Sequence, residues 1–125
     1  MLDTNVAIHL RDDDPETLAR VNQLTGDVLL SVVTRIELEN GIHTDAARGA
    51  VRRARLERIL ATLPVVSFDE EAADVYGRIV ELVGYSRRQV FDRMIAAQAI
   101  VHRATLITLN PDDFRDVPGL EFVAW

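Results

Sequence analysis

The sequence predicts an α/β fold in which a central, mainly parallel sheet carries helices on both faces. Short strand-like segments alternate with helical segments along the whole chain, and this order is typical of parallel sheets. Residues 28–33 form a continuous apolar run, as strands do when both faces of the sheet are covered. A length of 125 residues with 48% hydrophobic composition predicts a single domain over residues 1–125.

The elements can be placed in order along the chain. The first strand is predicted at residues 1–3, where a short apolar start runs into polar residues. A helix should begin at Asp14-Pro15, because Asp is a favourable N-cap and Pro suits the first helical position. The other predicted elements are a helix at 6–10, a strand at 28–33, helices at 34–41 and 46–63, a strand at 65–68, helices at 70–83 and 91–100, a strand at 105–108, a helical turn at 110–114 and a strand at 120–123.

Several helix ends carry recognisable signals. The capping box pairs a Ser or Thr cap with a Glu or Gln three residues later. It predicts helix starts at Thr34-x-x-Glu37, Ser67-x-x-Glu70 and Ser86-x-x-Gln89. Gly84 is expected to end the helix at 70–83, because glycine suits the backbone conformation that follows a helix. The next helix, 91–100, then carries Asp92 in its first turn.

Composition excludes several classes of function. All 14 basic residues are arginines, and the absence of lysine excludes a P-loop nucleotide hydrolase and a Schiff-base enzyme. The absence of cysteine excludes disulfides and thiolate metal sites. A net charge of −6 argues against nucleic-acid binding by bulk electrostatics. With neither an apolar run of roughly 20 residues nor a signal-peptide pattern, we expect a cytoplasmic protein that does not bind membranes.

Acidic residues recur where the predicted strands end. Asp3 closes the first strand, and Glu37 lies in the helix after the second. Asn110 and Asp113 follow the fourth strand. Asp92 starts the helix that leads into that strand, and such a crossover helix starts at the same edge of the sheet. Ligands of open parallel sheets bind beyond the carboxyl ends of the strands, so these side chains are expected to converge there.

Each acidic residue alone also has a structural interpretation. Glu37 could be a capping-box glutamate, Asp92 a charge favoured by the helix dipole, and Asp113 a turn residue. Together, however, converging carboxylates raise one another's pKa, and a cation normally neutralises such a cluster. Oxygen ligands suit Mg²⁺ or Mn²⁺. Zinc is not predicted, because none of the three histidines pairs with another at metal-ligand spacing.

An ordered set of motifs links these acidic residues. The motifs are Leu2-Asp3-Thr4-Asn5, Thr34-x-x-Glu37-Leu38-x-x-Gly41, Asp92-x-x-Ile95-Ala96-Ala97-x-Ala99, Thr108-x-Asn110-x-x-Asp113-Phe114, Pro118-Gly119-Leu120 and the final Trp125. In this order the chain resembles PIN-domain ribonucleases of the VapC toxin type. The resemblance spans the whole chain, and the set is far more specific than any one motif. Leu109 departs from the pattern, since the family often has an arginine at this position.

The resemblance implies a three-layer α/β/α sandwich and a Mg²⁺-dependent endoribonuclease that is the toxin of a type II toxin–antitoxin system. A metal-activated water would cleave RNA phosphodiester bonds. The implied catalytic residues are Asp3, Glu37, Asp92 and Asp113. Asp3 and Asp92 would hold the metal directly. The sequence leaves open whether one or two ions bind, and whether Asn110 or Asp113 is the fourth site residue.

Polar and basic neighbours complete the implied site. Thr4 and Asn5 are expected to orient Asp3 through hydrogen bonds, with Thr108 and Asn110 as further polar helpers. The residues expected to bind RNA phosphates are Arg87, Arg88 and Arg93. A second arginine set, Arg48, Arg52 and Arg55, shares one helix face and predicts either a further RNA contact or a solvated face.

The resemblance also implies partners. They are RNA as substrate, a cognate VapB-type antitoxin and a second copy of the chain in a homodimer. The surface formed by residues 12–60 is expected to bind the antitoxin. Two alternative functions stay open at this stage: a catalytically inactive PIN-fold module that binds protein or RNA, and a phosphatase or DNA nuclease that uses the same metal chemistry.

Overall fold

A parallel sheet lies at the centre of the computed structural model, which describes residues 1–125. Its strands are β1 (Leu30–Ser31), β2 (Val65–Val66), β3 (Leu106–Thr108) and β4 (Phe122–Ala124). β1 pairs with β2, and β3 pairs with β4. Leu2 joins the two pairs, because it forms parallel bridges to Leu30 on one side and Ile107 on the other. The N-terminal segment therefore occupies the middle of a sheet whose order is β2, β1, residues 1–3, β3, β4.

Six helices surround the sheet. They are α1 (Thr4–Arg11), α2 (Pro15–Asn22), α3 (Val32–His43), α4 (Gly49–Thr62), α5 (Glu70–Val83) and α6 (Val90–Val101), with short 3₁₀ turns at Arg87–Gln89 and Pro111–Asp113. The number and order of elements agree with the sequence prediction. None of the helices has the length and apolar character that a membrane crossing requires.

The sheet is covered on both faces by apolar side chains. Leu106 faces a cluster that includes Ile95 of α6, with contributions from α5. Its neighbour Ile107 faces the opposite cluster, which includes Leu38 of α3 and Leu56 of α4. Successive residues of a strand point to opposite faces, so two separate cores form on the two sides of one sheet. The predicted arrangement of helices on both faces is confirmed.

Helix α3 begins earlier than predicted, and its cap is a different residue. Ser31 is the N-cap, since its Oγ accepts a hydrogen bond from the Val33 backbone N–H at 3.0 Å. Thr34 lies inside the helix and is fully buried. Glu37 therefore belongs to the second turn and is not a capping-box residue, which removes its main structural explanation.

The other two capping-box predictions are also wrong in detail. Asp69 caps α5 by accepting a hydrogen bond from the Ala72 backbone N–H at 2.9 Å, so Ser67 is not the cap. Ser86 precedes a 3₁₀ turn, and its side chain forms no cap hydrogen bond. Gly84 does end α5 as predicted, with a positive φ of 87° that glycine adopts without strain.

A buried amide anchors α6 to the sheet. Gln98 is completely buried, and its Oε1 accepts a hydrogen bond from the Ser31 hydroxyl. Its Nε2 donates to the Val66 backbone oxygen at 3.0 Å. The small side chains of Ala96, Ala97 and Ala99 are also fully buried, as expected for a helix that packs closely on the sheet. These contacts fix the position of the helix that carries Asp92.

The arginines of α4 are mostly engaged within the protein. Arg55 pairs with Asp13 at 2.8 Å, and Arg52 donates to the Gly41 backbone oxygen at 2.6 Å. Arg48 is exposed and lies 3.6 Å from Asp45. The face formed by these arginines therefore connects α4 to its neighbouring segments.

Candidate active site

Asp3 is the most deeply buried acid of the predicted site. It lies at the end of the N-terminal segment and is 2% exposed. Its Oδ1 accepts a hydrogen bond from the Thr4 backbone N–H at 2.7 Å, and its Oδ2 accepts from the Thr108 hydroxyl at 2.8 Å. Burial raises the pKa of Asp3, and the charges of Glu37 and Asp113 add to this, while the two hydrogen bonds lower it. The net effect is a raised pKa.

Asp92 faces the same site from the first turn of α6. It is half-buried, and this burial is the largest cause that raises the pKa of Asp92 to about 6. The charges of Asp3, Asp113 and Glu37 raise it further, whereas the neighbouring Arg93 lowers it. All four predicted catalytic acids are therefore close enough to act on one another electrostatically. None of the four belongs to any of the ion pairs in the structure.

Glu37 is held by the hydroxyl group of Thr4. The Thr4 Oγ1 donates to Glu37 Oε2, and it also lies 3.1 Å from the buried hydroxyl of Thr34. Thr4 therefore orients two acids at once, Asp3 through its backbone and Glu37 through its side chain. Asn5 lines the site, but it forms no hydrogen bond to Asp3, so that expected role is not found.

Residues 108–113 adjoin the site through Thr108, whose hydroxyl donates to Asp3. Asp113 ends a 3₁₀ turn and is half-buried. Asn110 is exposed, and its backbone N–H donates to the Thr108 hydroxyl at 2.9 Å. Asn110 thus supports Thr108, which in turn holds Asp3. The electrostatic influence of Asp113 on both Asp3 and Asp92 favours Asp113 as the fourth acid.

Arg93, predicted to bind RNA, is paired within the protein and is not exposed to solvent. Its side chain is almost fully buried, and its two terminal nitrogens donate to the two carboxylate oxygens of Asp116, each at 2.8 Å. It also donates to the side chain of Gln89 at 3.0 Å. Because these groups occupy the guanidinium, Arg93 ties α6 to the segment after Asp113. Arg87 and Arg88, in contrast, are exposed in the turn before α6.

Three of the four acids line a cavity of about 270 Å³, and Asp113 lies outside its lining. Its lining residues are Asp3, Thr4, Asn5, Ile8, Glu37, Asn40, Phe91 and Asp92. Sequence reasoning missed Ile8, Asn40 and Phe91. The spacing of Asn40 from Glu37 was a usable signal, since residues three apart share a helix face. A larger, mostly apolar cavity of about 510 Å³ lies between α2 and α4 and contains none of the four acids.

The donor set of the cavity suits a hard divalent cation. No three acidic, histidine or cysteine side chains stand together as a complete metal-binding cluster. Mg²⁺ often needs only one or two carboxylates, because it retains several water ligands. Asp3 and Asp92 meet that requirement: neither forms an ion pair, and burial together with the neighbouring acids raises the pKa of each. The cavity contains no imidazole or thiol, so its chemistry does not suit zinc.

Comparison with known proteins identifies the family. The family model of the PIN domain matches residues 1–120. The chain belongs to the PIN-domain family. Among its PIN-domain relatives, the tRNA(fMet)-specific endonuclease VapC of Salmonella typhimurium is 30% identical over 128 residues, covering 100% of this chain and 96% of that protein. Ribonuclease VapC2 of Rickettsia felis is 25% identical over 135 residues, again covering 100% of this chain and 96% of the relative.

A solved structure supports the same family. This PIN domain superposes on a chain in the crystal structure of DNA-bound VapBC from Salmonella typhimurium with a TM-score of 0.87 and 30% sequence identity. The match covers 100% of this chain and 96% of that chain. Family model, relatives and structure together confirm the resemblance to VapC-type PIN domains and the α/β sandwich that it implied.

Proposed function

We propose that this PIN domain is a Mg²⁺-dependent endoribonuclease and acts as the toxin of a toxin–antitoxin pair. The named relatives are a ribonuclease and a tRNA-specific endonuclease of the VapC group. The observation that supports the metal requirement is the pair Asp3 and Asp92, two carboxylates that line one cavity and form no ion pair. Mn²⁺ is an alternative ion, because it prefers the same oxygen ligands.

The residues of the site have different proposed roles in phosphodiester hydrolysis. Asp3 and Asp92 would hold the ion, which when bound supplies an activated water and neutralises charge on the phosphate. Glu37 is positioned to orient the attacking water or to accept its proton, because the Thr4 hydroxyl fixes only one of its two oxygens. Asp113 adds negative charge that favours cation binding. Arg87 and Arg88 are the exposed groups available to RNA phosphates.

The proposed protein partner is a VapB-type antitoxin. The similar crystal structure from Salmonella typhimurium is of a VapBC complex, in which VapC is bound together with VapB. Seven of the ten residues that line the apolar cavity between α2 and α4 belong to the expected antitoxin surface, residues 12–60. Burial of its apolar lining would favour binding of a partner. A homodimer is proposed as well, with the exposed Leu82 and Tyr85 as its candidate contacts.

Chelation provides a direct test of this function. A short single-stranded RNA should be cleaved in Mg²⁺, remain intact in excess EDTA and be cleaved again when Mg²⁺ is restored. At an Mg²⁺ concentration below the dissociation constant, Asp113→Asn should lower the rate about tenfold, since a loss of about 1.4 kcal/mol in cation binding is a tenfold loss of affinity. Asp112→Asn is the matched control, because Asp112 is the adjacent acid and pairs only with Arg115 at the surface.

Other results would redirect the assignment. Cleavage that persists in EDTA would contradict a metal mechanism. Hydrolysis of DNA but not RNA would favour a DNA nuclease, and hydrolysis of phosphate monoesters alone would favour a phosphatase. RNA binding without cleavage under any metal condition would indicate the inactive binding module.

A further inference from the structure

Two exposed residues of the catalytic cavity have no role in the chemistry described above. Phe91 lines the cavity beside Asp92, and its side chain is 50% exposed. Asn40 lines the same cavity one turn of α3 beyond Glu37, and it too is exposed. An exposed aromatic ring and an exposed carboxamide next to the candidate metal ligands offer a flat apolar surface and a donor–acceptor pair.

We propose that this cavity contains a nucleobase subsite. Phe91 stacks on an unpaired base next to the scissile phosphate, and Asn40 forms hydrogen bonds with the edge of that base. Proteins commonly hold single-stranded RNA by stacking splayed bases on aromatic side chains and by hydrogen-bonding the base edges. Because every base has a flat face, stacking tolerates any base, whereas an amide that donates and accepts discriminates among them. The inference rests on the proposed ribonuclease function and names the part of the substrate that the site recognises.

Charge favours a base over a phosphate at this position. No basic residue lines the cavity, so beyond the ion proposed at Asp3 and Asp92 nothing beside Phe91 attracts a second phosphate. An uncharged base needs no positively charged partner. Arg87 and Arg88 lie four and three residues before Phe91 and are exposed, so they can bind the flanking phosphates outside the cavity.

The size of the cavity also limits its occupant. Its volume of about 270 Å³ is close to the lower end of small-molecule sites, roughly 300 Å³. This suits one base together with part of its sugar.

Binding to an uncleaved RNA tests the subsite without requiring activity. All variants are made in an Asp92→Asn background, and fluorescence anisotropy measures their affinity for a short labelled single-stranded RNA at one fixed salt concentration. Phe91→Ala should weaken binding about 5- to 100-fold, the range expected for loss of one stacked base. Phe91→Trp should restore affinity to within about threefold, whereas Phe91→Leu should not, because leucine lacks an aromatic face.

Two controls separate stacking from general effects. Val51→Ala removes an apolar side chain on α4 that is 51% exposed and lies outside the cavity, and it should leave affinity unchanged. Asn40→Ala should reduce the difference in affinity among RNAs that vary at a single base. In the active protein, Phe91→Ala should raise KM with little change in kcat, as expected when substrate and transition state lose the same contact.

Three results would overturn the subsite. They are unchanged affinity in Phe91→Ala, equal rescue by leucine and tryptophan, and an affinity loss that light scattering traces to dissociation of a dimer. The subsite and the ribonuclease function fail in different ways. RNA cleavage that is indifferent to Phe91 would remove the subsite alone, while Phe91-dependent binding without any cleavage would remove the ribonuclease function alone.

Discussion

Asp92→Asn is expected to abolish RNA cleavage and, at the same time, to stabilise the metal-free protein. The cleavage rate should fall about 100-fold or more, because the metal would lose one of its two carboxylate ligands and, with it, several kcal/mol of transition-state stabilisation. Stability should rise because the folded protein disfavours the charge on Asp92, whose pKa is raised to about 6 by burial and by the neighbouring acids. Asparagine fills the same space without that charge.

The same shift predicts how stability depends on pH. The folded state binds a proton on Asp92 more tightly than the unfolded state, where the pKa is near 3.8. The contribution of Asp92 is therefore most favourable below pH 3.8 and is lost as pH rises through about 6. The raised pKa of Asp3 acts in the same direction. The metal-free protein should thus become more stable as pH falls from 7 to 5.

Urea unfolding in EDTA, at pH 7 and pH 5, measures this effect. The wild-type protein should gain roughly 1 kcal/mol or less between the two pH values, because a folded pKa of about 6 allows at most about 1.3 kcal/mol over this interval and the partial exposure of Asp92 reduces it. Asp92→Asn should show a smaller gain, and Asp112→Asn should behave as the wild-type protein does. Equal pH dependence of stability in the wild type and in Asp92→Asn would show that the folded protein does not raise the pKa of Asp92.

Asp116→Ala is expected to cause the largest loss of stability among surface-accessible acids. Arg93 is 3% exposed, and both of its terminal nitrogens depend on Asp116. Without Asp116 the buried guanidinium keeps only its bond to Gln89. Removing one partner of a buried ion pair costs about 3–5 kcal/mol, and the partial exposure of Asp116 places the expected value at or below the lower end of that range.

Denaturant unfolding at pH 7 compares this variant with Asp112→Ala. Asp112 is 84% exposed in its pair with Arg115, so its loss should cost less than about 0.5 kcal/mol. Asp116→Ala should also slow RNA cleavage, since Arg93 connects the helix of Asp92 to the segment that carries Asp113. Similar stabilities for the two alanine variants would mean that the Arg93–Asp116 pair does not hold the site together.

The sequence predicts the acidic site because its signals are local and repeated. Asp3, Asp92 and Asp113 each follow or precede a recognisable element at the same edge of a parallel sheet. Strand and helix order alone therefore places them together, without knowledge of packing. The four acids do influence one another electrostatically in the structure, and residues 1–120 match the PIN-domain family.

Packing decides what the sequence does not predict. Arg93 is next to Asp92 in the chain, and this proximity alone predicts that it contacts the substrate. Only the folded structure brings Asp116 within 2.8 Å of it. The predicted N-cap of α3 is wrong for a related reason. The Ser31 hydroxyl accepts a hydrogen bond from the backbone of α3 and donates one to the buried side chain of Gln98. Such long-range hydrogen bonds leave no regular spacing in the sequence.

Thermal unfolding with and without Mg²⁺ is the most direct test of the central claim, which is that Asp3 and Asp92 form a divalent cation site. At pH 7 and at an ion concentration of 100 times the dissociation constant, the wild-type protein should gain about 2.7 kcal/mol of stability. Asp112→Asn should gain the same amount, while Asp92→Asn should gain little or nothing. An absent Mg²⁺ and Mn²⁺ effect in the wild type, or an equal effect in Asp92→Asn, would contradict the claim.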